Sequence, residues 1–338
     1  MSSLELMRDV AFTFMELESG WDSLATVSIE MAISTAFCTS YYLLQSFLGE
    51  GCFGQVAQCL KLPTKETVAV KILKTKSKYA VEAEKELAML KVVSSLDPDT
   101  HNIVRFHEGF FYRGLTCLVF EQLHMSLLDY MRQTHFRPLS LNEIRPITVQ
   151  LATAFKALKS IGLIHTDLKL DNIMLVDQVN QPFRVKLIDF GLAVRSSEVQ
   201  RGSILQPIGY RAPEVVLGLP ISEAIDMWSL GCVMAAMFLG RNLYPSWKEF
   251  DMLPWEYFRD TGKSPRCPSR FRLGSLDVLL ECRPEGADEH EEEDIRAFVD
   301  LLKRMLNLDA AKRITPSQAL RHRFLSMTHL AMGYHHSS

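Results

Sequence analysis

Disulfide and zinc chemistry have little to build on in this chain of 338 residues. Its seven cysteines, at positions 38, 52, 59, 117, 232, 267 and 282, form no CxxC pair and are odd in number. That usage fits reduced thiols in an intracellular compartment. Long hydrophobic runs are missing as well: the longest, Cys232–Leu239, has eight residues, where a membrane span needs about 20. No transmembrane helix is expected. Basic residues are scarce at the N-terminus, where residues 1–40 carry six acidic side chains and a single basic one, Arg8, so no secretory leader is expected. With 17 glycines and 14 prolines, collagen-like and Pro/Gly-driven disordered chains are excluded. A net charge of −3 offers no global basic field for nucleic acid or an anionic membrane. What remains is 47% hydrophobic and 23% charged residues, the range of ordinary globular proteins. The length suits about two domains, or one large bilobed unit.

The pattern changes along the chain. Residues 1–40 read as a weakly structured or separately docked leader. From Tyr41 to Ile72, short β-prone runs separated by Gly- or Pro-containing punctuation predict antiparallel strands. Ala83, Leu87, Leu90 and Val93 recur at helical spacing, predicting a helix over 79–93. Two more strands are expected near Ile103–Phe106 and Thr116–Phe120. After Leu123 the chain turns mostly helical. Ser140 and Glu143 form a capping-box pattern opening a helix, with Pro146 expected in its first turn and Gly162 as its stop. A hairpin follows, 173–176 against 183–188. Glu223 to Leu239 is apolar on most sides, as in a buried helix. Residues 285–294 hold seven acids in ten and read as a solvated loop, ahead of an amphipathic helix at 295–306.

Chemistry enters with GEGCFGQV, Gly49 to Val56, which fits GxGxxGxV. Glycines there let main-chain N–H groups approach phosphate oxygens. The pattern also marks dinucleotide folds, but a Rossmann turn opens a helix, whereas here QVAQCL continues as a strand toward VAVK, ending at Lys71. Further on stand HTDLKLDN (His165 to Asn172), DFG (Asp189 to Gly191) and APE (Ala212 to Glu214). Phosphoryl transfer is mainly positioning and charge stabilisation, and these residue types suit it. An Asp accepts the acceptor hydroxyl's proton, an Asn and a second Asp hold Mg²⁺, and a Lys with a carboxylate partner orients phosphates.

Together these motifs, with strings such as TCLVFEQL, IGLIHTDLKLDNIMLVD, YRAPEVVLGLPISEAIDMWSLGCV and FVDLLKRMLNLDAAKRITP, make the chain resemble a eukaryotic protein kinase over Tyr41 to Leu325. More narrowly it resembles the homeodomain-interacting protein kinases. The resemblance implies an α+β, bilobal fold. A small lobe over 41–123 would hold a mostly antiparallel sheet and one large helix, followed by a mainly helical lobe over 124–325 and a tail over 326–338. It implies a protein serine/threonine kinase that binds ATP and Mg²⁺ between the lobes. Asp167 would be the catalytic aspartate and Lys169 the γ-phosphate contact. Lys71 would pair with Glu86 rather than Glu82 or Glu84. Asn172 and Asp189 would bind Mg²⁺. The phosphate loop would comprise Gly49, Glu50, Gly51, Cys52, Phe53 and Gly54. Adenine would sit among Leu48, Val56, Ala69 and Met174, with Phe120 as gatekeeper and the Glu121–Leu123 main chain as hinge. Glu214 would pair with Arg313, and Asp226 would anchor the catalytic loop.

Several positions depart from the family. Thr166 stands where kinases commonly carry an Arg that clamps a phosphorylated loop, a departure the resembled group shares. Ile204 replaces an autophosphorylated Tyr, and Ile208 replaces an Arg that helps shape the site for a following Pro. Leu170 replaces a Pro. Tyrosine phosphorylation cannot occur at position 204, and strict Pro-directed specificity is not expected. The match weakens between Leu243 and Leu280. A partner-binding extension like that of relatives is not expected, so homeodomain partners are not carried over. Protein substrates are the expected partners, with no direct nucleic acid and no membrane, in the nucleus or cytoplasm. A catalytically silent kinase-like interaction module is the rival reading, and the intact Lys71, Glu86, Asp167, Asn172 and Asp189 count against it.

Overall fold

The structure, a computed structural model, describes residues 41–51, 54–73, 77–112, 115–244, 275–281 and 289–331. The leader read at 1–40, Cys52, Phe53 and most of the weakly matching 243–280 segment lie outside them. The described residues form two compact units: those up to Ser94 with those of Val104–Leu123, and those of Ser95–Ile103 with those from His124 onward.

The first unit is built on a five-stranded antiparallel sheet. Its strands are β1 (Tyr42–Gly51), β2 (Gly54–Lys61), β3 (Glu66–Leu73), β4 (Phe106–Tyr112) and β5 (Leu115–Glu121), in spatial order β1-β2-β3-β5-β4. Side chains alternate between faces along a strand. Val68 and Val70 therefore join Ala57, Cys59, Cys117 and Val119 in one buried cluster, closed by the stacked rings of Tyr42 and Phe110. Burial pushes the Cys59 and Cys117 thiols up to about 12, so both stay protonated and act as small apolar groups. The alternate positions, Ala69 and Lys71, point to the other face. Helix α1 (Ser77–Val93) follows β3. The strand expected at Ile103–Phe106 begins only at Phe106. Asn102 takes a left-handed φ of 55°, and Ile103 makes a single parallel bridge to Leu187 in the second unit.

The second unit is mainly helical. Helix α2 (Leu127–Gln133) precedes α3 (Leu141–Ser160), whose capping box is formed: the Glu143 N–H donates to Ser140 Oγ, and the Ser140 N–H donates to Glu143 Oε2. Pro146 is its sixth residue rather than part of the first turn, so one ladder bond, to the Asn142 carbonyl, is lost. The helix continues because ten of its side chains are buried. Short β6 (Met125–Ser126) pairs with β8 (Ile173–Asp177), which forms the expected hairpin with β9 (Gln181–Leu187). The two-residue strands β7 (Leu163–Ile164) and β10 (Val194–Arg195) pair with each other. After α4 (Pro213–Val216), helix α5 (Ala224–Leu239) is buried continuously from Ile225 to Met237. It stops at Gly240 (φ 66°), where a Cβ would lie 2.2 Å from the Phe136 carbonyl oxygen.

Helix α6 spans Glu289–Met305, so the acidic run is not a loop where it is described. Glu289, Glu291 and Glu292 occupy the first turn, where negative charge complements the helix dipole. Asp294 turns inward and is buried against Arg145 of α3, with Arg145 Nη2 at 2.6 Å from Oδ2. No helix among the described residues is long and apolar enough to cross a membrane.

Candidate functional site

In the first unit, strand register assembles the predicted residues. Val56 lies opposite Lys71 and Ala69 opposite Phe120, and Ala69 and Lys71 are two apart, so all four share one sheet face. Lys71 Nζ donates to Glu86 Oε1 of α1 at 2.7 Å, and Glu86 is buried. Glu84, one of the alternatives, is exposed. Gly49 pairs with Val56, while Leu48 is the extra residue at a bulge and is exposed. Glu50 and Gly51 continue β1. Gly54 has a packing reason to be glycine: a Cβ there would lie 2.1 Å from the Ile72 carbonyl oxygen. At the end of β5, Glu121 accepts the Arg105 N–H at 2.6 Å, its own N–H donates to the Arg105 carbonyl, and Leu123 is buried.

In the second unit a loop carries HTDLKLDN between β7 and β8. Its main chain is fixed from α5, where the buried Asp226 carboxylate accepts the N–H groups of His165 (2.8 Å) and Thr166 (3.0 Å). Burial pushes the Asp226 carboxyl up, while His165 and these two N–H donors pull the other way. Thr166 is held at a left-handed φ of 64°, and its hydroxyl donates to the Leu192 carbonyl at 2.7 Å. The Thr that stands in place of Arg thus ties this loop to the segment after DFG. His165 Nδ1 accepts the Asp167 N–H at 3.2 Å and Nε2 faces the Ile188 carbonyl at 3.0 Å. One tautomer, protonated on Nε2, serves both.

Asp167 is the centre of this cluster. Lys169 Nζ donates to its Oδ2 at 3.0 Å, and Asn172 Nδ2 donates to the same oxygen at 2.7 Å and to the Asp167 carbonyl at 2.8 Å. Because Asn172 spends its amide nitrogen on Asp167, its Oδ1 is turned away as a hard oxygen donor. The Asn172 carbonyl accepts the Ile188 N–H at 3.0 Å, which sets the neighbouring Asp189 beside this loop, with a left-handed φ of 64°. Such main-chain strain concentrates where function over-determines the backbone. Met174 follows in β8, half-buried and opposite Lys186.

Between DFG and APE the decisive residue is one that sequence reading passed over. Gln206, buried with φ 67°, donates to the Ile225 carbonyl and to Ser229 Oγ, both at 2.8 Å, and accepts the Ala212 N–H at 3.0 Å. Arg211 donates to the carbonyls of Leu205 (2.9 Å) and Gln206 (2.8 Å). Ile204 is exposed. The segment is therefore pinned by amide and guanidinium contacts to main chain and to Ser229. A lone Gln between Leu205 and Pro207 gives no signal of this, because two of its partners are 19 and 23 residues away. Beyond it, Glu214 and Arg313 form the buried bidentate pair, at 2.6 and 2.8 Å, with the guanidinium also over the Trp228 ring.

Comparison with known proteins agrees with this architecture. The family model for the protein kinase domain matches residues 42–325. The chain is 42% identical over 355 aligned residues to homeodomain-interacting protein kinase 1 of Mus musculus, covering 92% of this chain and 29% of that protein. It is 43% identical over 345 to homeodomain-interacting protein kinase 2 of Mesocricetus auratus (89% and 30%), and 37% identical over 346 to homeodomain-interacting protein kinase 4 of Homo sapiens (86% and 56%). The chain thus spans under a third of the length of the first two. With the sheet, the helical unit and the DFG and APE segments on the same residues that the family model matches, the chain belongs to the protein kinase domain family, and its likeness within that family is to the homeodomain-interacting protein kinases.

Proposed function

We propose that the chain is a protein serine/threonine kinase that transfers the γ-phosphate of ATP to Ser or Thr hydroxyls of protein substrates. The first unit serves as the small lobe and the second as the large one. The observation that carries the reading is the Asp167 cluster: a buried carboxylate held by Lys169 and Asn172 on a loop anchored by Asp226. Asp167 orients the acceptor hydroxyl and takes its proton at Oδ1, the oxygen that Lys169 and Asn172 leave open. Lys169 then offsets charge at the transferring group. Lys71, held by Glu86, contacts the α- and β-phosphates, and the glycines at 49, 51 and 54 let main-chain N–H groups approach them. Val56, Ala69 and Met174 would contact the adenine, and the main chain at Glu121 and Leu123 would offer it hydrogen bonds.

The donor set suits Mg²⁺. Asn172 Oδ1 and the Asp189 carboxylate are hard oxygen ligands, and this ion keeps water and phosphate oxygens for its remaining positions. No cluster of three or more His, Cys, Asp or Glu side chains is present among the described residues, and such an ion does not require one. Bound there, it would neutralise phosphate charge.

The test is transfer of labelled γ-phosphate from ATP with Mg²⁺ to a generic Ser/Thr substrate, with Asp167→Asn alongside. Wild-type transfer that falls by at least about 10²-fold in Asp167→Asn is expected. Absence of transfer by folded wild type that binds ATP would overturn the reading.

A further inference from the structure

Among the described non-glycine residues with a left-handed φ, Thr166 is the only β-branched one, at 64°. Crowding at Cβ makes that conformation an outlier for such a residue, where Gly, Asn or Asp would sit with less strain. Strain of this kind persists only where the surroundings over-determine the backbone. Two contacts do so here. The Thr166 N–H donates to Asp226 Oδ1 at 3.0 Å, and the buried side chain donates its hydroxyl to the Leu192 carbonyl at 2.7 Å. The first contact asks nothing of the side chain, so the second is the reason for a hydroxyl at this position.

We infer that Thr166 is a positioning residue for phosphoryl transfer: its hydroxyl locks the turn after DFG to the catalytic loop and so sets Asp189 relative to Asp167. The inference rests on the kinase reading. The chain from Leu163 to Asp167 and the segment from Ile188 to Arg195 run alongside each other. Ile164 pairs with Val194 at one end, and His165 Nε2 faces the Ile188 carbonyl at 3.0 Å at the other. Between them the His165 ring lies edge-on to Phe190, 5.2 Å between centroids, and Thr166 reaches Leu192. The ring contact is weakly directional, whereas a hydrogen bond of 2.7 Å fixes an angle. It is made by the residue adjoining Asp167 and lands three residues past Asp189. The turn it grips also carries the metal-ligand candidate: the Gly191 N–H donates to Asp189 Oδ1 at 3.3 Å, and the Ala193 N–H donates to the Phe190 carbonyl at 3.1 Å. A shift of this turn therefore moves the Asp189 carboxylate against Asp167.

The experiment compares Thr166→Val, which keeps the branched shape without the hydroxyl, with Thr166→Ser, which keeps the hydroxyl. It measures kcat per ATP-binding site, counted by titration, and the KM for ATP. A misplacement of about 1 Å can cost about 10²-fold, so kcat per site is expected to fall by about 10–100-fold in Thr166→Val and to stay within about threefold of wild type in Thr166→Ser. The KM for ATP is expected to stay within about twofold in both, the pattern of an interaction that counts only in the transition state. Hydrogen–deuterium exchange reads the link apart from turnover: amides 189–193 are expected to exchange at least about fivefold faster in Thr166→Val, and those of β9 at wild-type rates. A kcat per site in Thr166→Val within about twofold of wild type, with any loss of bulk rate matched by lost binding sites, overturns the inference and leaves the kinase reading standing. An equal fall in both variants overturns it too, assigning the effect to side-chain shape. Unchanged exchange over 189–193 in Thr166→Val does the same. If folded wild type that binds ATP transfers no phosphate, the kinase reading itself fails and the inference falls with it.

Discussion

Gly54 shows how one residue serves two demands. The phosphate-loop pattern explains a glycine there by what must approach from outside. The sheet explains it from inside, because β2 and β3 run so close that a Cβ would overlap the Ile72 carbonyl at 2.1 Å. The clash is with main chain, which cannot swing aside, so Gly54→Ala is expected to destabilise by about 1–3 kcal/mol. Urea unfolding of the variant checks this, and a midpoint unchanged from wild type would remove the packing argument. Residue by residue, the site was legible in the sequence where its members lie in contiguous strings. Asp167, Lys169 and Asn172 fall within six positions, and their mutual hydrogen bonds are local. The partner of Lys71 was not legible from spacing alone, since Glu82, Glu84 and Glu86 all lie on α1; only the helix's rotation against the sheet turns Glu86 inward at 2.7 Å and leaves Glu84 in solvent.

At the scale of elements, capping and periodicity carried helix α3 and the β8–β9 hairpin, because those signals are written within a few residues. They failed where tertiary contacts override local composition. The acidic run before Ile295 reads as solvated, yet Asp294 is buried because Arg145, 149 positions earlier, offers it a guanidinium, and His329 Nε2 reaches its Oδ1 at 2.9 Å. The segment from Ile204 to Ala212 is held in the same way. Gln206 satisfies the Ile225 carbonyl, Ser229 and the Ala212 N–H at once, so Gln206→Ala removes three buried hydrogen bonds and takes from the Ala212 N–H its acceptor, while Ser229 keeps its bond to the Tyr210 carbonyl. A loss of about 2–4 kcal/mol is expected in urea unfolding. Phosphotransferase activity should fall with it, since the same contacts set the path of the segment between DFG and APE. A variant as stable as wild type would show that these contacts form only marginal links.

For the whole molecule, acid sensitivity follows from histidines that pack as neutral groups. His322 has Nδ1 accepting the Phe324 N–H at 3.3 Å and Nε2 at 2.8 Å from Asp300 Oδ2; burial holds its pKa below the ordinary value of 6.5, against the pull of Asp300. His107 is lowered as well, again by burial first. The sign follows from proton linkage. The unfolded chain takes up these protons at higher pH than the folded one. Their contribution is therefore fully present above about pH 6.5 and is lost as pH falls through the lower folded values. Paired carboxylates such as Asp300 and Glu143, held low by hydrogen bonds to His322 and Ser140 among others, release their contribution only in more acidic solution, below about pH 4.5. Thermal midpoints measured from pH 8 downward should be level to about pH 6.5 and then decline, with a smaller decline in His322→Gln. A midpoint level to pH 5 would contradict this.

By itself, the sequence determined the chemistry-bearing strings, the change from a β-rich to a helical half and the alternation that gives β3 one apolar face and one bearing Lys71. Each is encoded at periods of two to four residues or in local turn and cap chemistry, and needs no distant partner. The tertiary structure alone decided that Gln206 pins the segment before APE, that Asp294 is buried and that a cavity opens beside Leu170. Those outcomes depend on which groups, tens to hundreds of residues apart, can satisfy one another once water is excluded, and such pairings have no local signature.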